Sequence, residues 1–144
     1  MYFLKTRCIY KCIFIALVVF LGFSLSSCKE EGYAIINLHG TMKDTQGNYI
    51  DSLMVTIHNT TTNTKDIFRS STSSNGFDRT YTLKNAEACK YTIEIEDIDG
   101  ETNGGFFQTQ KKTVDILTSD YTKRNDLMVV HPYASKQIDF IMMK

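Results

Sequence analysis

The chain has 144 residues, with 16 Lys and Arg against 16 Asp and Glu, one proline and no tryptophan. That is material for about one soluble domain, and it excludes collagen, a coiled coil or an acidic tail. Three basic residues, Lys5, Arg7 and Lys11, lie in the first 27 positions, where no acid occurs; without them thirteen basic side chains face sixteen acidic ones, a net charge near −3. Such a chain has no field to gather phosphate backbones, which argues against nucleic acid as a partner.

Residues 1 to 11 are a basic opening, and residues 12 to 25, CIFIALVVFLGFSL, are an uncharged apolar run. The run is shorter than the roughly 20 residues that cross a bilayer, so it reads as an export signal ahead of a retained span. Leu25-Ser26-Ser27-Cys28 resembles the lipobox of bacterial lipoproteins. The resemblance implies cleavage between Ser27 and Cys28, lipidation of the Cys28 sulfur including a palmitate-type chain, and a stable hold on a membrane, because more than one acyl chain is attached. Lys29-Glu30-Glu31 resembles the export signal that takes some Bacteroidetes lipoproteins to the outer surface of the outer membrane; a solvated charged tether is the other reading. The expected organisation is a signal peptide over 1–27, a lipidated cysteine and tether over 28–32, and one domain over 33–144. Of the four cysteines, Cys8 and Cys12 leave with the signal and Cys28 is acylated. Cys89 alone stays a thiol, which rules out an internal disulfide and favours a packing role over a nucleophilic one.

From residue 33 onward hydrophobicity alternates with period two, the signature of strands with one buried face. Ala34, Ile36, Leu38 and Met42 share one phase, and Leu53, Val55 and Ile57 share the next. Asp44-Thr45-Gln46-Gly47-Asn48 between them has hairpin-turn chemistry. Further strands are predicted over Ile67 to Thr72, Phe77 to Leu83, Tyr91 to Glu96, Phe106 to Ile116 and Gln137 to Met143. Residues 59–64 and 73–76 read as loops, and so does Leu117 to Met128, whose scattered Ser, Thr, Asp and Asn leave too few apolar positions for a helix. About seven strands spaced roughly ten residues apart predict an all-β, two-sheet antiparallel sandwich.

Gly40-Thr-Met42-Lys-Asp44, Gly47-Asn-Tyr49-Ile50, Val55-Thr-Ile57 and Ser74-Asn75-Gly76-Phe77 resemble the carboxypeptidase-regulatory-like module, a transthyretin- or immunoglobulin-like sandwich. Tyr49 stands where that module usually has proline. The resemblance implies a non-catalytic spacer or binding platform. Over nearly the whole chain, Tyr91 to Phe107 with Val114-Asp115-Ile116, the lipobox and the strand-like end resemble the radical-SAM-associated lipoproteins of Bacteroidetes. That implies a radical-SAM protein, or another envelope protein, as partner.

The loop Asp97-Ile-Asp99-Gly100-Glu101-Thr-Asn103-Gly104-Gly105 places oxygen ligands at alternate positions, as Ca²⁺ requires, with Asp97, Asp99, Glu101 and Asn103 as the candidate set. It is not an EF-hand, because Thr102 and Gln108 stand where glycine and a bidentate glutamate belong. The competing reading has Asp99 and Asn103 bonding nearby amides while the glycines take positive φ. His39, His58 and His131 have no ligand spacing for zinc, although His39 and His58 could share a solvated face of neighbouring strands. GxSxG and phosphate-cradling loops are missing, so no catalytic residue is assigned and no enzyme is expected. Tyr33, Tyr49, Tyr81, Tyr91, Tyr121, Tyr133, Phe106 and Phe107 are candidates for sugar stacking or for core filling. Asp51-Ser52-Leu53 resembles the Bacteroidetes O-glycosylation acceptor, with Ser52 as the site. A lipid-anchored interaction module is the leading expectation; a calcium- or glycan-binding surface adhesin module is the alternative.

Overall fold

The computed structural model of the chain describes residues 32–70, 76–102, 105–126 and 129–144. Among them are nine strands: β1 (Ala34–Asp44), β2 (Met54–Asn59), β3 (Thr64–Arg69), β4 (Gly76–Leu83), β5 (Cys89–Glu96), β6 (Gln110–Ile116), β7 (Thr122–Asp126), β8 (Val129–Gln137) and β9 (Phe140–Met142). They form the expected all-β sandwich of two sheets, one ordered β4-β1-β8-β7 with β9 also on β1, the other β3-β2-β5-β6.

The inner faces follow the apolar phase. Ile36, Leu38 and Met42 of β1, Val55 and Ile57 of β2, Tyr91, Ile93 and Ile95 of β5, and Phe140 and Met142 of β9 are all buried. Each such side chain contributes about 1.5–3 kcal/mol by leaving water. The second sheet is wholly antiparallel. The first is mixed: β1 pairs antiparallel with β4 but parallel with β8 and with β9.

The predicted Gln137–Met143 strand is in fact the end of β8, a break, and β9. At the break Ile138 N donates to His39 O at 2.8 Å, and the Asp139 carboxylate accepts from Thr41 N and Thr41 Oγ1, both at 2.8 Å. Gly40 makes this approach feasible, since a Cβ there would lie 1.8 Å from Ile138 O.

Other boundaries differ for physical reasons. The strand predicted over 67–72 is β3, which starts at Thr64, and residues 71–75 lie outside the described set. The strand predicted from Phe106 begins only at Gln110, because Phe107 N is given to Asp97 and Gln108 N to Met143 O. Residues predicted as a long loop contain a 3-10 turn at Thr118–Asp120 and strand β7. Thr122, Lys123 and Arg124 are exposed, so this edge strand has no apolar alternation to reveal it.

The Asp44–Asn48 turn forms as read. Asp44 Oδ1 accepts from Gln46 N and Asn48 N at 2.8 Å each, and Gly47 has φ 89°. The asparagine side chain leads the interactions that hold the Asp44 carboxyl below its ordinary value. Only Lys43 and Tyr49 pair across this turn. The chain then crosses to the other sheet, so β1 and β2 are not hairpin partners.

Candidate functional site

Strand register defines two ends of the sandwich. At the first, the described chain enters at Gly32, Ala34 pairs with Leu83, Asn59 with Tyr91 and Cys89 with Ile116. At the second lie the Asp44–Asn48 turn, the segment after β5 and the C-terminal residues.

At the second end Asp97 organises the segment after β5. Its Oδ1 accepts from Asp99 N and Gly100 N at 3.2 Å each, and its Oδ2 from Phe107 N at 2.9 Å. Burial pushes the Asp97 carboxyl up, but the Phe107 and Asp99 amides, the Asp99 side chain and the Gly100 amide outweigh it and hold it below its usual value. Gly100 and Gly105 take φ 68° and 110°. The structure thus shows Asp97 shaping the loop. Asp99 is half-buried and Glu101 exposed, while Asn103 lies outside the described residues. Among those described, no three His, Cys, Asp or Glu side chains gather as a metal would need.

This loop turns Phe107 inward and Phe106 outward, at 3% and 62% exposure. Gln108 N donates to Met143 O at 2.7 Å, which brings the C-terminal residues alongside. Ile141 is paired with Lys43 and Lys43 with Tyr49, and Lys43 Nζ sits 4.6 Å from the Tyr49 ring centroid. Tyr49, Phe106, Ile141 and Met143 are all exposed, so apolar side chains stand in water across this end.

At the first end a polar cluster that sequence reasoning missed is folded into the sandwich. Tyr81 OH donates to Asp66 Oδ2 at 2.9 Å, and Arg79 Nε lies 3.4 Å from the same oxygen. This joins the edge strands β3 and β4 of opposite sheets. The Tyr81 and Tyr91 rings lie 5.6 Å apart and line a cavity of about 150 Å³ with Asn59 and Asp66. A second cavity, of about 230 Å³, reaches from Thr61 and Leu83 to Cys89. Burial raises the Cys89 thiol above its ordinary value. Burial and the neighbouring Cys89 together push Tyr121 up to about 12. A thiol held protonated is a weak nucleophile, as the packing role expected of Cys89 requires. Period-two patterning marks Cys89 and Tyr91 as inward but says nothing of Tyr121, which follows the 3-10 turn.

The three histidines are not a triad. His39 is on β1 of the first sheet and His58 on β2 of the second, which corrects the expectation that they share a face. His58 Nε2 lies 3.1 Å from Asn63 Oδ1, and the His131 ring stacks on Tyr33 at 5.4 Å. His39 Nδ1 is 2.9 Å from Asn37 Oδ1 and 3.4 Å from Ser135 Oγ. Asn37 Nδ2 donates to Asp78 Oδ1 at 2.5 Å, which orients the amide so that its oxygen faces the histidine. With the amide oriented that way, its oxygen accepts the His39 Nδ1–H.

Ser52 is half-buried with φ 62°, its amide bonded to Asp51 Oδ1 at 2.7 Å. Ser27 and Cys28 lie outside the described residues. No helix among the described residues is long and apolar enough to cross a membrane.

No protein-family model matches the chain, and no curated protein matches it. One solved structure, a C-terminal fragment of the pilus adhesin SpaC from Lactobacillus rhamnosus GG, is similar at 17% sequence identity and a TM-score of 0.41. The similarity covers 75% of this chain and 46% of that fragment, so the chain spans less than half of the fragment's length.

Proposed function

We propose that the chain is a lipoprotein of the outer membrane, held by acyl groups on Cys28, whose sandwich is a non-catalytic interaction module. The observation that carries this reading is the placement of the two ends. The described chain enters at one, four residues after Cys28, while Tyr49, Phe106, Ile141 and Met143 stand exposed at the other. An anchor at the first end presents the second to partners away from the lipid. Exposed apolar side chains on a rigid scaffold are the usual material of protein interfaces. A radical-SAM protein, or another envelope protein, is the partner that the family resemblance suggests.

Mass spectrometry of the mature chain tests the anchor: residues 1–27 absent and a diacylglycerol thioether on Cys28 are expected. Cys28→Ala should leave the membrane fraction. Retention of residues 1–27, or a bare thiol on the first residue, overturns the reading. For the exposed end, Phe106→Asp with Ile141→Asp should abolish co-purification with a radical-SAM protein without lowering the melting temperature.

A further inference from the structure

The end of the sandwich where the described chain enters also carries large apolar side chains in solvent: Tyr33 before β1, Leu117 after β6 and Val130 in β8, exposed by 42%, 54% and 57%. We propose that this end rests on the surface of the lipid bilayer through these three residues. The inference builds on the anchored reading above and adds a second, non-covalent contact to it.

The connection makes the contact reachable. Cys28 to Gly32 is five residues, an extended reach of at most roughly 18 Å. On the anchored reading the acyl groups on Cys28 put lipid at the start of that reach. A surface held so close meets lipid at a high effective concentration, so contacts too weak to bind a free protein are populated. The side chains suit the task. Tyr33 has an apolar ring and a polar tip, the chemistry enriched at membrane interfaces, and its ring is braced against His131. Leu117 and Val130 come from different sheets, one following β6 and the other within β8, so the three residues span the end rather than one edge. The apolar residues of the opposite end are out of range, since the eleven residues of β1 set them about 35 Å further away.

The chain lacks tryptophan, so single reporters are unambiguous. Mature protein beginning at the acylated Cys28 and carrying Leu117→Trp, Val130→Trp or Phe106→Trp is reconstituted in phosphatidylethanolamine–phosphatidylglycerol vesicles containing brominated acyl chains. The tryptophans at 117 and 130 should be blue-shifted and quenched, and the one at 106 should be neither. If the protein floats with the vesicles and the reporters at 117 and 130 are quenched no more than that at 106, docking is refuted and the anchor stands. If the protein does not float with the vesicles, the anchored reading fails and the docking with it. Tyr33→Trp supplies a further reporter should either of the other substitutions disturb the fold.

Discussion

The two sheets are built on opposite plans. In the second every pairing is antiparallel: β2 and β3 join through a short turn, while β2 and β5 meet from about thirty to forty positions apart, so register follows from alternation, with a short turn fixing only the β2–β3 pair. In the first, β1 gathers β4, β8 and β9 from about forty to a hundred positions away, two of them in parallel. Parallel neighbours need long connections, and their register cannot be set by a turn. It is set instead by one backbone contact, Ile138 against Gly40, and by the Asp139 carboxylate clamped on Thr41. The wholly antiparallel sheet depends on its side-chain volume. The sheet with parallel neighbours depends also on a few fixed approaches.

Ending the chain at Asp139 tests that difference most severely. It removes β9 and the buried Phe140 and Met142, a loss of more than about 5 kcal/mol that most domains cannot absorb. The loss of a cooperative melting transition is expected. Ile93→Ala, at the centre of the second sheet with 0% exposure, should cost about 2–5 kcal/mol in urea unfolding, and Ile93→Val only about 0.5–1.5 kcal/mol. Gly40→Ala adds a single methyl, yet it should reach or exceed the roughly 1–3 kcal/mol typical of overpacking, because the obstructing atom is a backbone carbonyl. Equal effects of Gly40→Ala and of an exposed second-sheet substitution such as Thr113→Ala would break the comparison.

Smaller effects sharpen it. Asp97→Ala strands the amides of Phe107, Asp99 and Gly100, and should cost about 1–3 kcal/mol while speeding hydrogen exchange at Phe107. Asp139→Ala removes the clamp on Thr41 and should cost about 1–2 kcal/mol. The Thr41 backbone and side-chain bonds hold the Asp139 carboxyl below its ordinary value against burial, and Asp97 is likewise lowered. Their stabilisation is therefore fully present above the unfolded carboxyl value of about 3.9 and is lost as pH falls through the lower folded values. The melting temperature should decline with acid below about pH 4, and less steeply in Asp97→Asn. An unchanged acid limb in that variant would remove Asp97 from the account.

The same contrast decides what could be read from residues alone. Alternation located β1, β2, β4 and β5, because each presents one face to the core and one to water. The Asp44 turn and the positive φ of Gly100 and Gly105 were legible from turn chemistry. β7 escaped because an edge strand with exposed Thr122, Lys123 and Arg124 offers no alternation, and β8 was missed beside it up to Lys136, with only its last residue, Gln137, inside a predicted strand. The break at Ile138 was invisible because it depends on a contact with Gly40, nearly a hundred residues earlier. At the candidate site the Asp97 loop was located, but its role turned on which amides the carboxylate meets. The Asp66–Tyr81–Arg79 link between opposite sheets had no linear signal at all.

The pairing of β1 with β8 and β9 also dictates when the molecule can be completed. A chain made from its amino terminus exposes one long side of β1 until β8 and β9 have emerged. A nascent product that stops short of β9 cannot close the first sheet, so it should stay more open to proteolysis until Met142 arrives beside Asp44.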